Sequence, residues 1–142
     1  MCKFGMVYSD EPQVDANGDK FSKGRLFLGG ESEIVLSDHH LWSASDYLMH
    51  WKLSASDMLN RNIPTLFCSS LSVNSIDLWI GLPGLSHVIF YNRISKSDDI
   101  YASEMRIHPH GSFLDFLGEP TSEWSSWAVP LGYIRCFVDR SK

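Results

Sequence analysis

A chain of 142 residues that is 44% hydrophobic and 20% charged has the size and composition of one folded unit, and residues 1–142 are read as a single domain. Its formal net charge of −5 argues against direct nucleic-acid binding, which normally needs a basic face, and permits a basic protein partner. No run approaches the roughly 18 apolar residues of a membrane helix, and the first eight residues are too short of apolar character for a signal peptide.

A cytoplasmic protein with no membrane partner is therefore expected. Cys2, Cys68 and Cys136 are odd in number and widely spaced, with no Cys-x-x-Cys pair for zinc, so unpaired thiols in a reducing compartment are the simplest reading. Aromatic residues make up 13% of the chain and include five Trp, enough to fill a core and help build an interface. The acids lean towards the N-terminal half: residues 1–60 hold nine acids against five bases, and residues 61–142 eight against seven.

Residues 3–8 read as a short strand. A polar stretch over 9–23 follows, with Asn17-Gly18 marking a turn in a hairpin or a loop. Residues 24–30 read as a strand closed by Gly29-Gly30, with 33–36 as its hairpin partner. A helix should begin after Ser43, whose hydroxyl can cap the first turn while Asp46 stands at the third helical position. Trp42 can staple onto Tyr47, and Leu48, Trp51, Ala55, Met58 and Leu59 recur at helical spacing. The helix must stop near residues 60–62, ahead of Pro64.

The period then changes to two. Residues 65–71, 76–80 and 87–94 are β-branched and aromatic runs separated by short turns, the pattern of an antiparallel meander. A strand is expected over 100–107, an irregular stretch over 108–120 whose segment 113–117 docks on the body, and a strand over 123–129. Pro130 opens a terminal helix with Leu131, Ile134 and Val138 on one stripe and Tyr133 and Phe137 beside it. The fold class is α+β: an antiparallel meander packed against one long central helix and a short C-terminal helix.

Catalytic patterns do not assemble. His39-His40 and His108-Pro109-His110 could approach a metal, yet neighbouring histidines on a strand point to opposite faces. Asp98-Asp99 reads as a solvated turn, no serine sits in a Gly-x-Ser-x-Gly elbow, and Gly29-Gly30 lacks the spacing and lysine of a phosphate loop. Cys68 beside Phe67 reads as a buried strand cysteine. No catalytic residue, cofactor or metal is expected. The competing readings are a small hydrolase using a metal, or His39 or His108 with a carboxylate, and an adaptor whose aromatic surplus forms an oligomer interface.

Gly24-Arg25-Leu26-x-Leu28-Gly29 with Glu31 and Glu33, then Leu41-Trp42-Ser43-x-x-Asp46-Tyr47-x-x-x-Trp51, resembles the N-terminal signature of bacterial contact-dependent growth inhibition immunity proteins. Trp79 and Val88-x-x-x-Asn92 resemble that family's central hairpin, and Ser125-Ser126-Trp127-Ala128-Val129-Pro130-Leu131-x-x-Ile134-x-x-Phe137 its closing strand and helix. The resemblance spans residues 24–138, with departures at Ser126, Gly132, Tyr133 and across 108–124. It implies a non-enzymatic immunity protein, monomeric in a 1:1 complex, that covers or flanks the active site of an effector's C-terminal toxin domain. A basic nuclease is the expected toxin, because carboxylates can stand where phosphates would bind. The contact residues expected on the immunity side are Asp98, Asp99, Glu104, Glu119 and Glu123, with Trp124 as an aromatic anchor.

Overall fold

A computed structural model describes residues 3–8, 11–72, 75–96 and 125–140. Along these the chain forms strands β1 (Phe4–Tyr8), β2 (Gln13–Val14), β3 (Lys20–Leu28) and β4 (Glu31–Asp38), then helix α1 (Ala44–Arg61). Strands β5 (Thr65–Leu71), β6 (Ser75–Pro83), β7 (His87–Lys96) and β8 (Ser126–Pro130) follow, and helix α2 (Leu131–Arg140) comes last. The α+β class is as expected. The strands divide into two antiparallel sheets rather than one.

The first sheet is built on β3. One edge of β3 pairs with β4 through Arg25↔Ile34 and Lys23↔Leu36, and the other carries β1, through Met6↔Leu26, and the two-residue β2. Asn17-Gly18 closes the β2–β3 hairpin, with Gly18 at φ 85° and the Asp15 carboxylate accepting the Asn17 and Asp19 backbone N–H groups. Gly24 is needed where β1 and β3 meet, because a Cβ there would collide with the Val7 carbonyl and the Tyr8 ring. The second sheet is the expected meander, β5-β6-β7, extended by β8.

Helix α1 begins as its sequence requires. Ser43 accepts from the Asp46 N–H, the Asp46 carboxylate accepts from the Ser43 N–H, and Trp42 stacks edge-on against Tyr47 at 5.3 Å. Asn62, left-handed at φ 55°, ends the helix by donating its N–H to the Met58 carbonyl. The buried face is Tyr47, His50, Trp51, Ser54, Ala55 and Met58. It is rotated slightly from the purely apolar stripe, leaving Leu48 only partly buried and drawing His50 and Ser54 inward.

The reason lies in β5, whose outer edge faces α1. There Tyr47, His50 and Trp51 act in place of a neighbouring strand. His50 Nε2 accepts the Cys68 N–H at 2.8 Å, Trp51 Nε1 donates to the Cys68 carbonyl at 2.8 Å, and the Tyr47 hydroxyl accepts the Leu71 N–H at 2.8 Å. Buried backbone groups must be paired, so polar side chains on the helix are required where an apolar set would leave β5 unsatisfied. Burial and the neighbouring Cys68 push the Tyr47 hydroxyl far above its ordinary pKa, which keeps it a neutral donor and acceptor.

The core is aromatic. Phe4 stacks on Phe90 at 5.1 Å and meets Trp51, Phe67 and Phe137, with Trp51 and Phe67 4.9 Å apart. Gly81 lets α1 approach: a Cβ there would lie 2.9 Å from Met58 Sδ and 3.0 Å from the Phe90 ring. Helix α2 buries Ile134 and packs Leu131, Tyr133, Phe137 and Val138 against this core, as its spacing predicts. It starts at Leu131, one residue after Pro130, which closes β8 instead.

The thiols depart from expectation in one respect. Cys68 is free and fully buried, but Cys136 on α2 is disulfide-bonded where an unpaired thiol was expected. One argument for a reducing compartment is thereby lost.

Candidate functional site

The six contact residues expected from the sequence, Asp98, Asp99, Glu104, Glu119, Glu123 and Trp124, lie outside the described residues, as do the strand expected over 100–107 and His108. The neighbouring Trp127 is described. It packs on Trp79 at 5.0 Å and donates from Nε1 to Glu31 Oε2 at 2.6 Å, joining β8 to the start of β4. Trp42, Trp51 and Trp79 are buried, so much of the aromatic surplus serves the core.

The two faces of the first sheet differ in kind. Towards the core, β1, β3 and β4 send Phe4, Met6, Leu26, Leu28 and Val35, all buried. On the outer face, strand alternation places Phe21, Lys23, Arg25 and Phe27 along β3 and Ile34 and Leu36 along β4, with Val7 across from Arg25. Lys23 and Arg25 are exposed, and Arg25 donates to Ser32 Oγ at 3.0 Å. Ile34 and Leu36, two residues apart on β4, are 56% and 57% exposed, and Val7, on the other side of Arg25 in the same cross-strand row as Ile34, is 46% exposed.

One end of this face runs into an open groove of about 410 Å³ lined by Asp15, Asp19, Lys20, Phe21, Leu36 and Asp38 from the first sheet and by serines of the β5–β6 hairpin. A smaller cleft of about 250 Å³ shares Asp19, Lys20 and Asp38 and adds His39 and His40. Asp38 is held firmly: its N–H donates to Ser70 Oγ, its carbonyl accepts from Tyr47, and its carboxylate accepts the His40 N–H at 2.6 Å. Three carboxylates against one lysine make this end acidic, while Lys23 and Arg25 make the middle of the face basic.

Among the described residues two serine–histidine pairs lie within hydrogen-bond distance. Ser86 Oγ and His87 Nδ1, 2.8 Å apart and exposed, are sequence neighbours with no carboxylate shown beside the ring. Ser22 Oγ and His39 Nε2 are 2.7 Å apart, with Asp38 next in sequence to His39. Ser22 is fully buried, however, so its hydroxyl has no access to a substrate and the bond is a structural tie between β3 and the end of β4. Partial burial and then the charge of Lys20 lower the His39 pKa, against the opposing pull of Asp38. The Cys68 thiol is pushed far up by burial and then by Asp77, which suits an inert core cysteine. Among the described residues no group of three or more His, Cys, Asp or Glu side chains converges as a metal would require. No described helix is long and apolar enough to cross a membrane.

A second acidic group lies where the sheets meet. Asp77 on β6 accepts from Ser69 Oγ at 3.0 Å and from Asn92 Nδ2 at 2.8 Å, and Ser69 in turn accepts from Trp79 Nε1. Burial, then Asp77 and Glu31, raise the pKa of Glu33. Most of this network is internal wiring of the second sheet. The exposed pair Ile34 and Leu36 had a signal in the sequence, since Ile34-Val35-Leu36 is a continuous apolar run in a strand that is otherwise polar. Three consecutive strand residues cannot all face one core.

No protein-family model and no curated protein matches the sequence. The fold, by contrast, is shared with a chain of a CdiA-CT/CdiI toxin and immunity complex from Enterobacter cloacae. The likeness has a TM-score of 0.74 and covers 96% of this chain and 97% of that one, at 17% sequence identity. At that identity it is a likeness of fold.

Proposed function

We propose that this chain is an immunity protein that binds and neutralises the C-terminal toxin domain of a contact-dependent growth inhibition effector. The observation that carries the reading is the near full-length likeness of fold to a chain of a toxin and immunity complex. It agrees with the resemblance in the Gly24–Gly29 strand, the Trp42–Trp51 helix start and the Trp127 strand. Those residues have physical roles that explain the motif: Gly24 permits the β1–β3 approach, Ser43 and Asp46 cap α1, and Tyr47 and Trp51 satisfy the edge of β5.

In this reading the chain acts as one domain and one copy per toxin, in the cytoplasm, without catalysis, cofactor or membrane. The toxin is a nuclease with a basic active-site surface, and the acidic side chains Asp98, Asp99, Glu104, Glu119 and Glu123 with Trp124 contribute contacts that cover or flank it. The net charge of −5 supports such a partner. The buried state of Ser22 and Cys68 weighs against a hydrolase built on either.

The test is to look immediately upstream for an open reading frame encoding a large secreted protein and to co-express its C-terminal domain with this chain. Growth arrest by that domain alone and growth in the presence of this chain is the expected result. Equal arrest in both cases rejects the reading. Replacing Asp98 and Asp99 together by Ser should weaken the complex at low salt, and unchanged affinity would remove the pair from the contact set.

A further inference from the structure

We propose that the toxin docks on the outer face of the first sheet, with Ile34 and Leu36 as the apolar anchors, Lys23 and Arg25 alongside, and the acidic groove receiving a cationic side chain. The inference rests on the immunity reading and names the surface by which that function is carried out. Three properties of the face carry it.

The first is exposed apolar area in an ordered setting. Ile34 and Leu36 are two residues apart on one face of β4, both more than half exposed, and Val7 lies in the same cross-strand row as Ile34. The backbone beneath them is fixed by pairing on β3, so an incoming protein would order little that is not already ordered. Met49 and Leu53 form another exposed apolar pair on α1, at 70% and 38%, flanked along the helix by Asp46, Lys52 and Asp57, and neither lines the groove or the smaller cleft.

The second is the charge pattern, which narrows the choice of occupant. Nucleic acid is disfavoured because Asp15, Asp19 and Asp38 line one end of the same face. A second copy of this chain is the competing occupant, since two-fold packing can set Lys23 and Arg25 against the acidic end of the mate, and sedimentation of the free chain separates the two. The pattern fits a different protein, with an apolar patch over Ile34 and Leu36, a carboxylate opposite Lys23 and Arg25, and a Lys or Arg entering the groove. A basic nuclease domain supplies that last group readily.

The third is shape. The groove opens beside Leu36, between the end of the first sheet and the β5–β6 hairpin, and its floor includes Phe21. An alkyl-guanidinium or alkyl-ammonium side chain entering there lays its stem on Phe21 and Leu36 and its charge near Asp15, Asp19 and Asp38.

The experiment measures the affinity of the full chain for the toxin domain used in the co-expression test, with the helical content and melting of each variant as a check on folding. Wild type must bind; a wild type that neither binds nor protects overturns the immunity reading and this proposal together. Leu36→Glu and Ile34→Glu are each expected to weaken binding about tenfold or more. Asp19→Lys should also weaken it, with a shallower salt dependence. Met49→Glu, on the far helix face, should leave affinity within about twofold of wild type.

If wild type protects and both sheet variants, folded, bind as tightly as wild type, the face is not the toxin site and the proposal is overturned while the immunity reading stands. The proposal fails in the same way if Met49→Glu is the variant that loses binding, or if Leu36→Glu merely dissociates a homodimer seen by sedimentation. Should the Glu variants fail to fold, Lys23→Glu with Arg25→Glu, both already exposed, gives the same comparison: loss of binding supports the face and full affinity overturns it.

Discussion

The two sheets solve the same packing problem differently. In β5 and β6 successive residues are buried on both faces, from Thr65 to Ser69 and from Leu78 to Gly81, so their sequences read as continuous apolar or small-residue runs. In β3 burial alternates residue by residue, with Ser22, Gly24, Leu26 and Leu28 inward and Lys23 and Arg25 in solvent. The second sheet is the structural heart of the protein. The first has one face committed to that core and one left open, so only the first can change its outer side chains freely without cost to the fold.

Truncation gives the widest separation between the two regions. Phe67→Ala, in the aromatic cluster with Phe4, Trp51 and Phe90, should cost about 3–5 kcal/mol, whereas Ile34→Ala on the open face should change stability by no more than about 0.5 kcal/mol. Denaturant melts of the two variants measure the gap directly, and equal losses would mean that the first sheet's outer face is packed after all.

Next in size is Tyr47→Phe, which keeps the ring and removes the hydroxyl shared by the Leu71 N–H and the Asp38 carbonyl. Both belong to the seam where β4 and β5 run side by side. The expected loss is about 1–3 kcal/mol, the cost of leaving buried backbone groups unpaired. A loss much smaller than that would show that water reaches the seam.

Ser43→Ala tests the helix that serves both sheets. Removing the hydroxyl that accepts the Asp46 N–H should cost about 1 kcal/mol, read as a lower melting midpoint.

The smallest effect is electrostatic and belongs to the junction of the sheets. Burial, then the charges of Asp77 and Glu31, raise the folded pKa of Glu33 above its ordinary 4.5. The folded chain therefore holds that proton more tightly than the unfolded chain, and this contribution to stability is lost as pH rises from 4.5 upward. Glu33→Gln should melt slightly above wild type at neutral pH and level with it well below the ordinary carboxylate range. A variant less stable at neutral pH would reverse the sign and point to a favourable contact of the carboxylate.

How far these features are legible in the sequence depends on how local their cause is. The helix boundaries follow from Ser43, Asp46 and Pro64, all within or beside the helix, and the meander follows from period-two runs with short turns. The pairing of β1 with β3 is not legible, because it joins residues 4–8 to residues 24–28 across a polar stretch that carries no pairing signal. His50 is likewise unreadable as a core residue: only the unpaired Cys68 N–H on the edge of β5 gives it a reason to be buried. Acidic charge directs the search for contact residues into 98–124, whereas the open face of β3 and β4 is marked only by the apolar run Ile34-Val35-Leu36, which does not say which of its two faces meets the core.

By itself the amino-acid sequence determined the fold class, the capped central helix, the three-strand meander and the terminal amphipathic helix, since each rests on periodicity and on caps or turns a few residues away. Tertiary structure alone decided that the strands form two sheets, that Tyr47, His50 and Trp51 stand in for a missing strand, and that Ile34 and Leu36 face solvent. Those outcomes depend on which backbone groups and apolar faces remain unsatisfied once distant segments meet, a quantity that no local pattern contains.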